Sequence, residues 1–437
     1  MATALRQGRS NDLHYGKGYG LKQAERRVVL LYHYFHPDDV ISARLYSDLA
    51  THVAARGWNV IAMPANRHCH SGDQDTTQKQ RQTLPKRESW GDVTIHRVYR
   101  PDLKQSSNKG RVINMLFMLW GWTLRALLLP RTRHEVVVIG TDPVLGILVA
   151  IAWRLLRPSS RIVHWCHDVY PEAIIADGML HDNSILVRLM RWFLRRAYRR
   201  CDVIADLGPC MRKLLAQYGS QAPTVTRTPW SLYEPDRPVG PEPATRQSLF
   251  GNAQLALLYS GNLGRAHQFE TFVALARQLQ NDSAHFVFAG RGSRVEELKG
   301  LVSEQDRNIS FAGFASEADL AKRLGACDIH LVSLRPEWTG TVVPSKFFGA
   351  LASGRSVLFA GSADSAIAKW IQEYQVGWVL TPDNISQIAS TLRSFAQSPE
   401  QMQTMQERCF RVYQEHFSQR IQLAFWDQTL EQFALRP

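Results

Sequence analysis

Short apolar runs alternate with segments of helical periodicity along the chain. The first series comprises residues 27–35 (RVVLLYHYF) and then the runs WNVIAMP, DVTIHRV, EVVVIG, RIVHWC and DVIADLG. Each run is short and shows no polar alternation, which is typical of a buried strand in a parallel sheet. Helical segments such as residues 42–56, closed by Gly57, lie between the runs. The pattern predicts a βαβ domain over residues 27–228.

A proline-rich segment interrupts this rhythm. Residues 229–243 (PWSLYEPDRPVGPEP) contain five prolines and can form neither a helix nor a central strand. We therefore predict an interdomain linker over residues 229–244. The apolar runs then resume with LALLYS, AHFVFAG, NISFAG, CDIHLVSL and SVLFAG, which predicts a second domain over residues 245–417. A final helix within residues 418–437 is expected to pack back toward the first domain.

The predicted fold class is therefore α/β, with two tandem Rossmann-like, doubly wound domains that face a cleft. Ligands of such sheets bind at the carboxyl ends of the strands. In the second half, YSGNLGRAHQFE (259–270) places Gly261 and Gly264 in a turn before a helix, where backbone N–H groups can approach an anion. Arg265 and His267 in the same turn would add positive charge. An ordinary glycine turn is the alternative interpretation.

A second turn, Pro344-Ser345-Lys346, opens a short helix. The proline favours a helix start, Ser345 is placed to cap it, and Lys346 lies in the first turn. A lysine there opposes the helix dipole, and an anion facing Lys346 would offset that cost. Two further glycine turns, FAGRGSRVEEL (288–298) and FAGFAS (311–316), end apolar strands, and Phe314 is placed to frame a planar base.

In their order along the chain, with the Pro344-Ser345-Lys346 turn last, the four stretches resemble the donor half of the family-4 retaining glycosyltransferases, which have the GT-B fold. The stretches LYHYFHPDDVISARLYSDLATHVAARGWNVIAM and IVHWCHDVYPEAIIADG resemble the acceptor domain of bacterial members that build exopolysaccharide of the colanic-acid type and O-antigen. The resemblance covers roughly residues 27–435. It implies sugar transfer from a nucleotide diphosphate sugar, without a metal ion or other cofactor.

The resemblance also implies roles for individual residues. Arg265 and Lys346 match the basic pair on the pyrophosphate, Gly264 the close backbone approach, and Arg291 and Phe314 the base pocket. With Ser345 of the same turn, these form the predicted donor site.

In the acceptor half, His167 and Asp168 match the polar region near the reacting carbon. They would receive the acceptor proton or support positive charge at the anomeric carbon. The alternative is that His164, His167 and Asp168 only cap the end of a strand. His36, Asp38 and Arg44 of the first loop are predicted to line the cleft and bind the acceptor.

The sequence departs from the family at two positions. Family members commonly carry two glutamates eight positions apart, and Thr341 and Gly349 stand in their places. The second glutamate binds ribose hydroxyls in the family. Either another group contacts the ribose, or the donor differs, or this chain is catalytically impaired.

The formal charge of +13 indicates an anionic partner. Residues 111–131 form the most apolar stretch, although Arg125 interrupts it, and residues 188–200 place arginines at helical spacing beside Trp192 and Phe193. Basic helices with aromatic residues are typical of membrane interfaces. We expect peripheral association with the anionic inner face of the cytoplasmic membrane and a polyprenyl-diphosphate-linked saccharide as acceptor.

The remaining sequence features exclude several classes. Residues 1–26 are polar and predict a loose tail, without a signal peptide. Six scattered cysteines argue against a disulfide framework, and we do not expect His68, Cys69 and His70 to bind a metal. No nucleic-acid-binding motif is present. A sugar-nucleotide 2-epimerase of the same fold and a non-catalytic partner subunit remain as alternatives to a glycosyltransferase.

Overall fold

The computed structural model describes residues 26–68, 83–103, 107–315 and 317–434, and these residues form two separate, mainly parallel sheets. The predicted tail therefore lies, except for Arg26, outside the described residues, as do Cys69 and His70. The α/β class with two Rossmann-like domains is confirmed.

The first sheet contains eight strands in the order β3-β4-β2-β1-β5-β6-β7-β8. All neighbours are parallel except β3 and β4, which form an antiparallel pair. The strands are β1 (Arg26–Leu31), β2 (Asn59–Ala62), β3 (Arg87–Trp90), β4 (Val93–His96), β5 (His134–Ile139), β6 (Arg161–Trp165), β7 (Val203–Asp206) and β8 (Thr224–Thr226). The predicted strand over residues 27–35 ends at Leu31, so that residues 32–35 leave the sheet and enter the cleft loop.

Six helices accompany this sheet: α1 (Ile41–Ala55), α2 (Asn108–Leu128), α3 (Val149–Leu156), α4 (Glu172–Ala176), α5 (Ile185–Tyr198) and α6 (Pro209–Leu215). Serine side chains cap α2 and α5. The hydroxyl oxygen of Ser107 accepts from the N–H of Gly110 at the start of α2, and that of Ser184 accepts from Val187 at the start of α5. Within the described residues, no helix combines the length and the apolar character that crossing a bilayer requires.

The second sheet contains six parallel strands in the order β11-β10-β9-β12-β13-β14. They are β9 (Leu255–Asn262), β10 (Ala284–Arg291), β11 (Ile309–Ala312), β12 (Ile329–Ser333), β13 (Ser356–Ala360) and β14 (Gly377–Leu380). The helices are α7 (Pro243–Phe250), α8 (Glu270–Gln278), α9 (Val295–Leu301), α10 (Glu317–Gly325), α11 (Lys346–Ala352), α12 (Ala366–Tyr374), α13 (Ile385–Ala396), α14 (Pro399–Val412) and α15 (Gln419–Ala434).

Each sheet has one point at which the strand order reverses. In the first sheet this switch point lies between β1 and β5, and in the second between β9 and β12. Loops that leave adjacent strands in opposite directions open a crevice there, which is where doubly wound sheets bind ligands. The topology therefore selects the loops after β1 and β5 in one domain, and those after β9 and β12 in the other.

The last helix joins the two halves of the chain. Trp426 of α15 is fully buried and packs edge-to-face on Trp165 of β6, with ring centroids 4.9 Å apart. The Nε2 atom of His52 in α1 lies 3.0 Å from the carboxylate of Asp427. The helix thus packs on the first domain although it follows the second domain in the chain.

Candidate functional site

Lys346 occupies the switch point of the second sheet. Its ammonium donates to the carbonyl oxygen of Asn262 at 3.1 Å and lies 5.0 Å from the ring centroid of Tyr259. Gly261 has φ +124°, and a Cβ added there would stand 3.1 Å from Cε of Lys346. Glycine at this position therefore lets the lysine lie directly against the loop after β9.

His267 acts differently from the sequence-based expectation of an added charge. Its Nδ1 lies 2.7 Å from the carbonyl oxygen of Ser333, so Nδ1 carries the proton, and Nε2 accepts from Lys346 at 3.3 Å. Burial, followed by the charge of Lys346, lowers the pKa of His267 to about 3. His267 is therefore a neutral acceptor that orients the ammonium, and the prediction that it adds positive charge is wrong.

The charge of Lys346 remains uncompensated by these neighbours. Burial lowers the pKa of Lys346 to about 8, so the ammonium form still predominates at pH 7. Both groups that accept from it, the Asn262 carbonyl and the His267 ring, are neutral. A half-buried cation that pairs with no carboxylate among the described residues favours an anionic ligand.

Gly264 and Ser345 are two further residues of the predicted donor site. Gly264 lies in the tight turn after β9, where its carbonyl oxygen accepts from the N–H of His267. Ser345 precedes α11, but its side chain makes no capping hydrogen bond, so the predicted cap is absent. With φ −64° and ψ −17°, Ser345 already has helical geometry rather than the extended backbone of a capping residue.

Arg265 crosses the cleft instead of facing Lys346. Its guanidinium forms an ion pair with the carboxylate of Asp177, the residue that directly follows α4 in the first domain. The Arg265 side chain is 61% exposed and that of Asp177 only 10% exposed. An incoming anion must therefore compete with Asp177 for this guanidinium.

Arg291 and Phe314, predicted to form the base pocket, contact each other. The guanidinium carbon of Arg291 lies 4.2 Å from the ring centroid of Phe314, and Phe314 is 51% exposed. The two side chains provide a stacked, cationic surface at the ends of β10 and β11. Planar aromatic groups stack on such surfaces.

On the other side of the cleft, His167 and Asp168 follow β6. The ring of His167 contacts those of Trp165, at 4.6 Å, and Tyr46, at 5.9 Å. Burial, followed by the charge of His164, lowers the pKa of His167 to about 3. Burial, followed by the charge of Asp142, raises the pKa of Asp168 to about 7. His167 is thus neutral, whereas Asp168 exchanges its proton near neutral pH.

The structure adds residues that the sequence analysis did not single out. His33 follows β1 and Asp142 follows β5, and their side chains meet at the switch point with Nδ1 to Oδ1 at 2.8 Å. Each of the two residues follows an apolar strand, and this was the feature by which the sequence could have identified them. The strand order was needed to use it, since the two residues are 109 positions apart in sequence.

The three predicted acceptor residues contact different elements. His36 stacks on Trp90 of β3, with ring centroids 4.6 Å apart, at the edge of the first sheet. The carboxylate of Asp38 accepts from the backbone N–H of Phe35 within the same loop. Burial raises the pKa of Asp48, and the charge of Arg44 in α1 offsets part of that rise. A role of all three in acceptor binding stays a prediction.

Thr341 and Gly349, which stand in place of the family's glutamates, have different surroundings. Thr341 is buried, and its carbonyl oxygen accepts from the N–H of Val169, next to Asp168, at 2.9 Å. A Cβ added to Gly349 would meet Ser231 Oγ at 3.9 Å and Leu324 Cδ1 at 4.0 Å. These are ordinary contact distances, so a Cβ at position 349 meets no clash.

The first prediction concerns Lys346→Ala. We expect the affinity for UDP, GDP or TDP, whichever binds the wild-type protein best, to fall at least tenfold by isothermal titration. A charge-assisted hydrogen bond of about 1.5–3 kcal/mol is lost. The melting temperature should change little, because a desolvated charge is also removed. Wild-type affinity should also weaken from pH 7 to pH 9, as the ammonium with its pKa of about 8 loses its proton.

Lys369→Ala is the matched control, because Lys369 is an exposed lysine of the same domain on α12. It should bind nucleotide as the wild type does. Retained affinity in Lys346→Ala, or the same pH dependence in both variants, would contradict a role for Lys346 in binding the diphosphate.

The second prediction concerns Asp177→Asn, which leaves Arg265 without its carboxylate partner. Partly exposed ion pairs contribute about 0.2–1 kcal/mol, so nucleotide affinity should rise by up to about fivefold. The control is Asp182→Asn, since Asp182 pairs with Arg191 on α5. Weaker binding by Asp177→Asn would instead mean that the ion pair holds the cleft in its binding-competent form.

Comparison with protein families identifies both halves of the chain. The model of "Glycosyltransferase Family 4" matches residues 42–229, and the model of "Glycosyl transferases group 1" matches residues 242–411. The "Probable glycosyltransferase WbjE" of Pseudomonas aeruginosa is 26% identical over 287 residues, which cover 64% of this chain and 71% of that protein. The "Putative colanic acid biosynthesis glycosyl transferase WcaI" of Escherichia coli K12 is 23% identical over 59% of this chain and 65% of its own length.

Solved structures share the fold over nearly the whole chain. WaaG, a glycosyltransferase involved in lipopolysaccharide biosynthesis, superposes with a TM-score of 0.60 and 16% identity, covering 94% of this chain and 100% of that chain. HepE of Anabaena, solved with UDP-glucose, gives a TM-score of 0.60 and 14% identity over 93% of this chain and 99% of that chain. The two family models together span both domains, and the chain therefore belongs to the family-4, group 1 glycosyltransferases.

Proposed function

We propose that this glycosyltransferase moves a sugar from a nucleotide diphosphate sugar to a lipid-linked saccharide during bacterial exopolysaccharide or lipopolysaccharide synthesis. The observation that carries the proposal is the uncompensated ammonium of Lys346 at the switch point of the second sheet. The UDP and UDP-glucose complexes of HepE support the donor class, and the names of WcaI and WaaG support the pathway.

The proposed reaction is retaining and metal-independent, as the family resemblance implies. The bond between the anomeric carbon and the phosphate oxygen breaks, and its electron pair leaves with the nucleoside diphosphate. Lys346 and the backbone N–H groups of the loop after β9 stabilise that charge. The acceptor oxygen forms the new bond on the same face of the sugar. Asp168, with a pKa of about 7, is suited to take the acceptor proton.

A donor screen followed by a transfer assay tests the proposal. Isothermal titration over common UDP-, GDP- and TDP-sugars identifies the donor. Transfer of that radiolabelled donor onto a lipid extract of bacterial membranes should then require Asp168. A protein that binds nucleotide but converts the donor to a 2-epimer would be the epimerase. One that binds nucleotide without any turnover would be a partner subunit.

The third prediction concerns Gly349→Glu. Because a helical Cβ points toward the helix N-terminus, the new carboxylate would extend toward the first turn of α11. There it can accept from ribose hydroxyls, and the surroundings of Gly349 leave room for the added Cβ. We expect nucleotide affinity and turnover to rise about tenfold, from about 1.5 kcal/mol of added hydrogen bonding.

Gly300→Glu is the matched control. Gly300 lies on α9 with open space where its Cβ would be, so it receives the same gain in helix propensity away from the cleft. Loss of nucleotide binding in Gly349→Glu alone would show that another group already fills the ribose position. A silent wild type that Gly349→Glu activates would contradict the proposal of a working enzyme.

We also propose that the first domain binds the membrane surface through α2 and α5. On α2, Asn114, Met118, Trp122 and Ala126 are buried, and the opposite face exposes apolar side chains: Val112, Leu116, Trp120, Leu124 and Leu127. A helix that is apolar on both faces favours contact with a second apolar phase. Trp120, at 69% exposed, and Leu127, at 64%, are the most accessible of this set.

Exposed arginines accompany exposed apolar residues on α5. Leu186, Leu189 and Trp192 are accessible, and the guanidinium carbon of Arg196 lies 3.2 Å from the ring centroid of Trp192. A further set of arginines is exposed beside them: Arg188, Arg195, Arg199 and Arg200. Arg191, which the sequence analysis grouped with them, instead bonds Glu172 and Asp182. Each basic group near an anionic bilayer contributes roughly 1 kcal/mol.

The fourth prediction is salt-sensitive binding to vesicles. Wild-type protein should sediment with vesicles that contain anionic lipid, and less so at high ionic strength. Trp120→Glu combined with Leu127→Glu should abolish sedimentation. The control is Phe425→Glu, an exposed aromatic residue on α15, which packs on α1 rather than beside α2. Unchanged sedimentation of the double variant would contradict a membrane role for α2, and binding that survives alkaline carbonate would indicate a span.

A further inference from the structure

A chain of three side chains ends at an accessible carboxylate in the acceptor half of the cleft. Nη1 of Arg100 lies 3.3 Å from Nε2 of His33, and Nδ1 of His33 lies 2.8 Å from Oδ1 of Asp142. A guanidinium only donates, so Nε2 of His33 accepts, and the proton on Nδ1 is donated to Asp142. The chain therefore directs hydrogen-bond donation toward the Asp142 carboxylate.

The three side chains differ in their solvent exposure. The side chain of His33 is 4% exposed and Arg100 is 7% exposed, whereas the side chain of Asp142 is 36% exposed. Within the described part of the chain, Oδ2 of Asp142 forms no hydrogen bond. Two buried groups thus hold one carboxylate so that its second oxygen is available at the cleft.

The fold places this carboxylate at the switch point between β1 and β5. The two strands end side by side at Leu31 and Ile139, and the backbone N–H of His33 donates to the carbonyl oxygen of Asp142 at 2.9 Å. Asp168 follows the next strand, β6. The groups proposed to bind the diphosphate all lie in the second domain. The switch point of the first sheet is therefore available for the acceptor.

Buried polar atoms without partners lie around the same point. Tyr46 is fully buried, and its hydroxyl stands 2.4 Å from where a Cβ on Gly140 would be, directly after β5. Neither this hydroxyl nor Nε2 of His167 has a hydrogen-bond partner among the described residues. Buried polar atoms without partners are costly, and a polar ligand is one group that can satisfy them.

We infer that Asp142 is the carboxylate that binds a hydroxyl group of the acceptor saccharide, with His33 and Arg100 as its positioning residues. The inference rests on the proposed function, because it assumes a saccharide acceptor. A carboxylate that already accepts one N–H bond accepts a sugar hydroxyl through its free oxygen in a short, charge-assisted hydrogen bond.

The relation between Asp142 and Asp168 agrees with this assignment. The charge of Asp142 adds to burial in raising the pKa of Asp168 to about 7. Near neutral pH, Asp168 can therefore both hold and release a proton. In this assignment, Asp142 binds and orients the saccharide hydroxyl, and Asp168 exchanges the proton.

The test separates acceptor binding from donor binding. Wild type, Asp142→Asn and the control Asp182→Asn are immobilised, and retention of a radiolabelled lipid-linked saccharide extract from bacterial membranes is measured. Binding of the preferred nucleotide is measured in parallel by isothermal titration. Asn keeps an oxygen for the His33 bond but loses the charge, so we expect Asp142→Asn to retain at least tenfold less saccharide with unchanged nucleotide affinity.

A pair of His33 variants tests positioning. His33→Asn places an amide N–H where Nδ1 lies and should keep saccharide retention near the wild-type value, whereas His33→Phe should lower it as Asp142→Asn does. If Asp142→Asn retains the saccharide normally, or if both His33 variants behave alike, the inference is overturned. A wild type that binds nucleotide but no saccharide would contradict the proposed acceptor class and the inference with it. One that binds neither would contradict the proposed function as a whole.

Discussion

The packing of Trp165 is the interaction on which the cleft depends. This residue ends β6, two positions before His167, and its ring contacts His167, Tyr46, Trp230 of the linker segment and Trp426 of α15. One fully buried side chain therefore joins the acceptor-side loop to both segments that connect the domains. The indole N–H also donates to the carbonyl oxygen of Arg227, just before the linker. A displacement of Trp230 or of α15 relative to β6 must therefore repack this ring next to His167.

Desolvation, more than ion pairing, determines the charges of the cleft. Burial is the largest cause of the lowered pKa of Lys346 and His267 and of the raised pKa of Asp168. Each shift favours the neutral form, and yet Lys346 remains charged at pH 7 because its reference pKa is high. The result is a cleft with the ammonium of Lys346 on the donor side and the carboxyl groups of Asp142 and Asp168 on the acceptor side. This polarity matches a diphosphate on one side and a neutral, hydroxyl-rich substrate on the other.

The sequence predicted the central strands and one edge strand, β11, but missed the edge strands β3, β8 and β14. The central runs are buried on both faces and thus show the unbroken apolar pattern that identifies them. In contrast, β3, β8 and β14 lie at sheet edges and are largely half-buried or exposed, so they lack that pattern. The same limit applies to the site. Glycine turns and the Lys346 turn could be located from local spacing. The Arg265–Asp177 and His33–Asp142 pairs join residues 88 and 109 positions apart. The first pair forms because the two domains face each other, and the second because β1 and β5 are neighbours in one sheet.

Thr341, which stands in place of a family glutamate, forms a hydrogen bond that links the loop of Lys346 to the loop of Asp168. Its carbonyl oxygen accepts from the N–H of Val169, and its hydroxyl donates to the carbonyl oxygen of Trp338. Thr341 precedes Lys346 by one short turn, and Val169 directly follows Asp168. The backbone segment that precedes Lys346 is therefore hydrogen-bonded to the backbone segment that follows Asp168. A buried threonine maintains this bridge without adding charge, whereas a glutamate at that position would place a carboxylate in a buried environment next to the loop of Asp168. Threonine in place of glutamate at position 341 is therefore compatible with a direct backbone hydrogen bond between the two halves of the cleft.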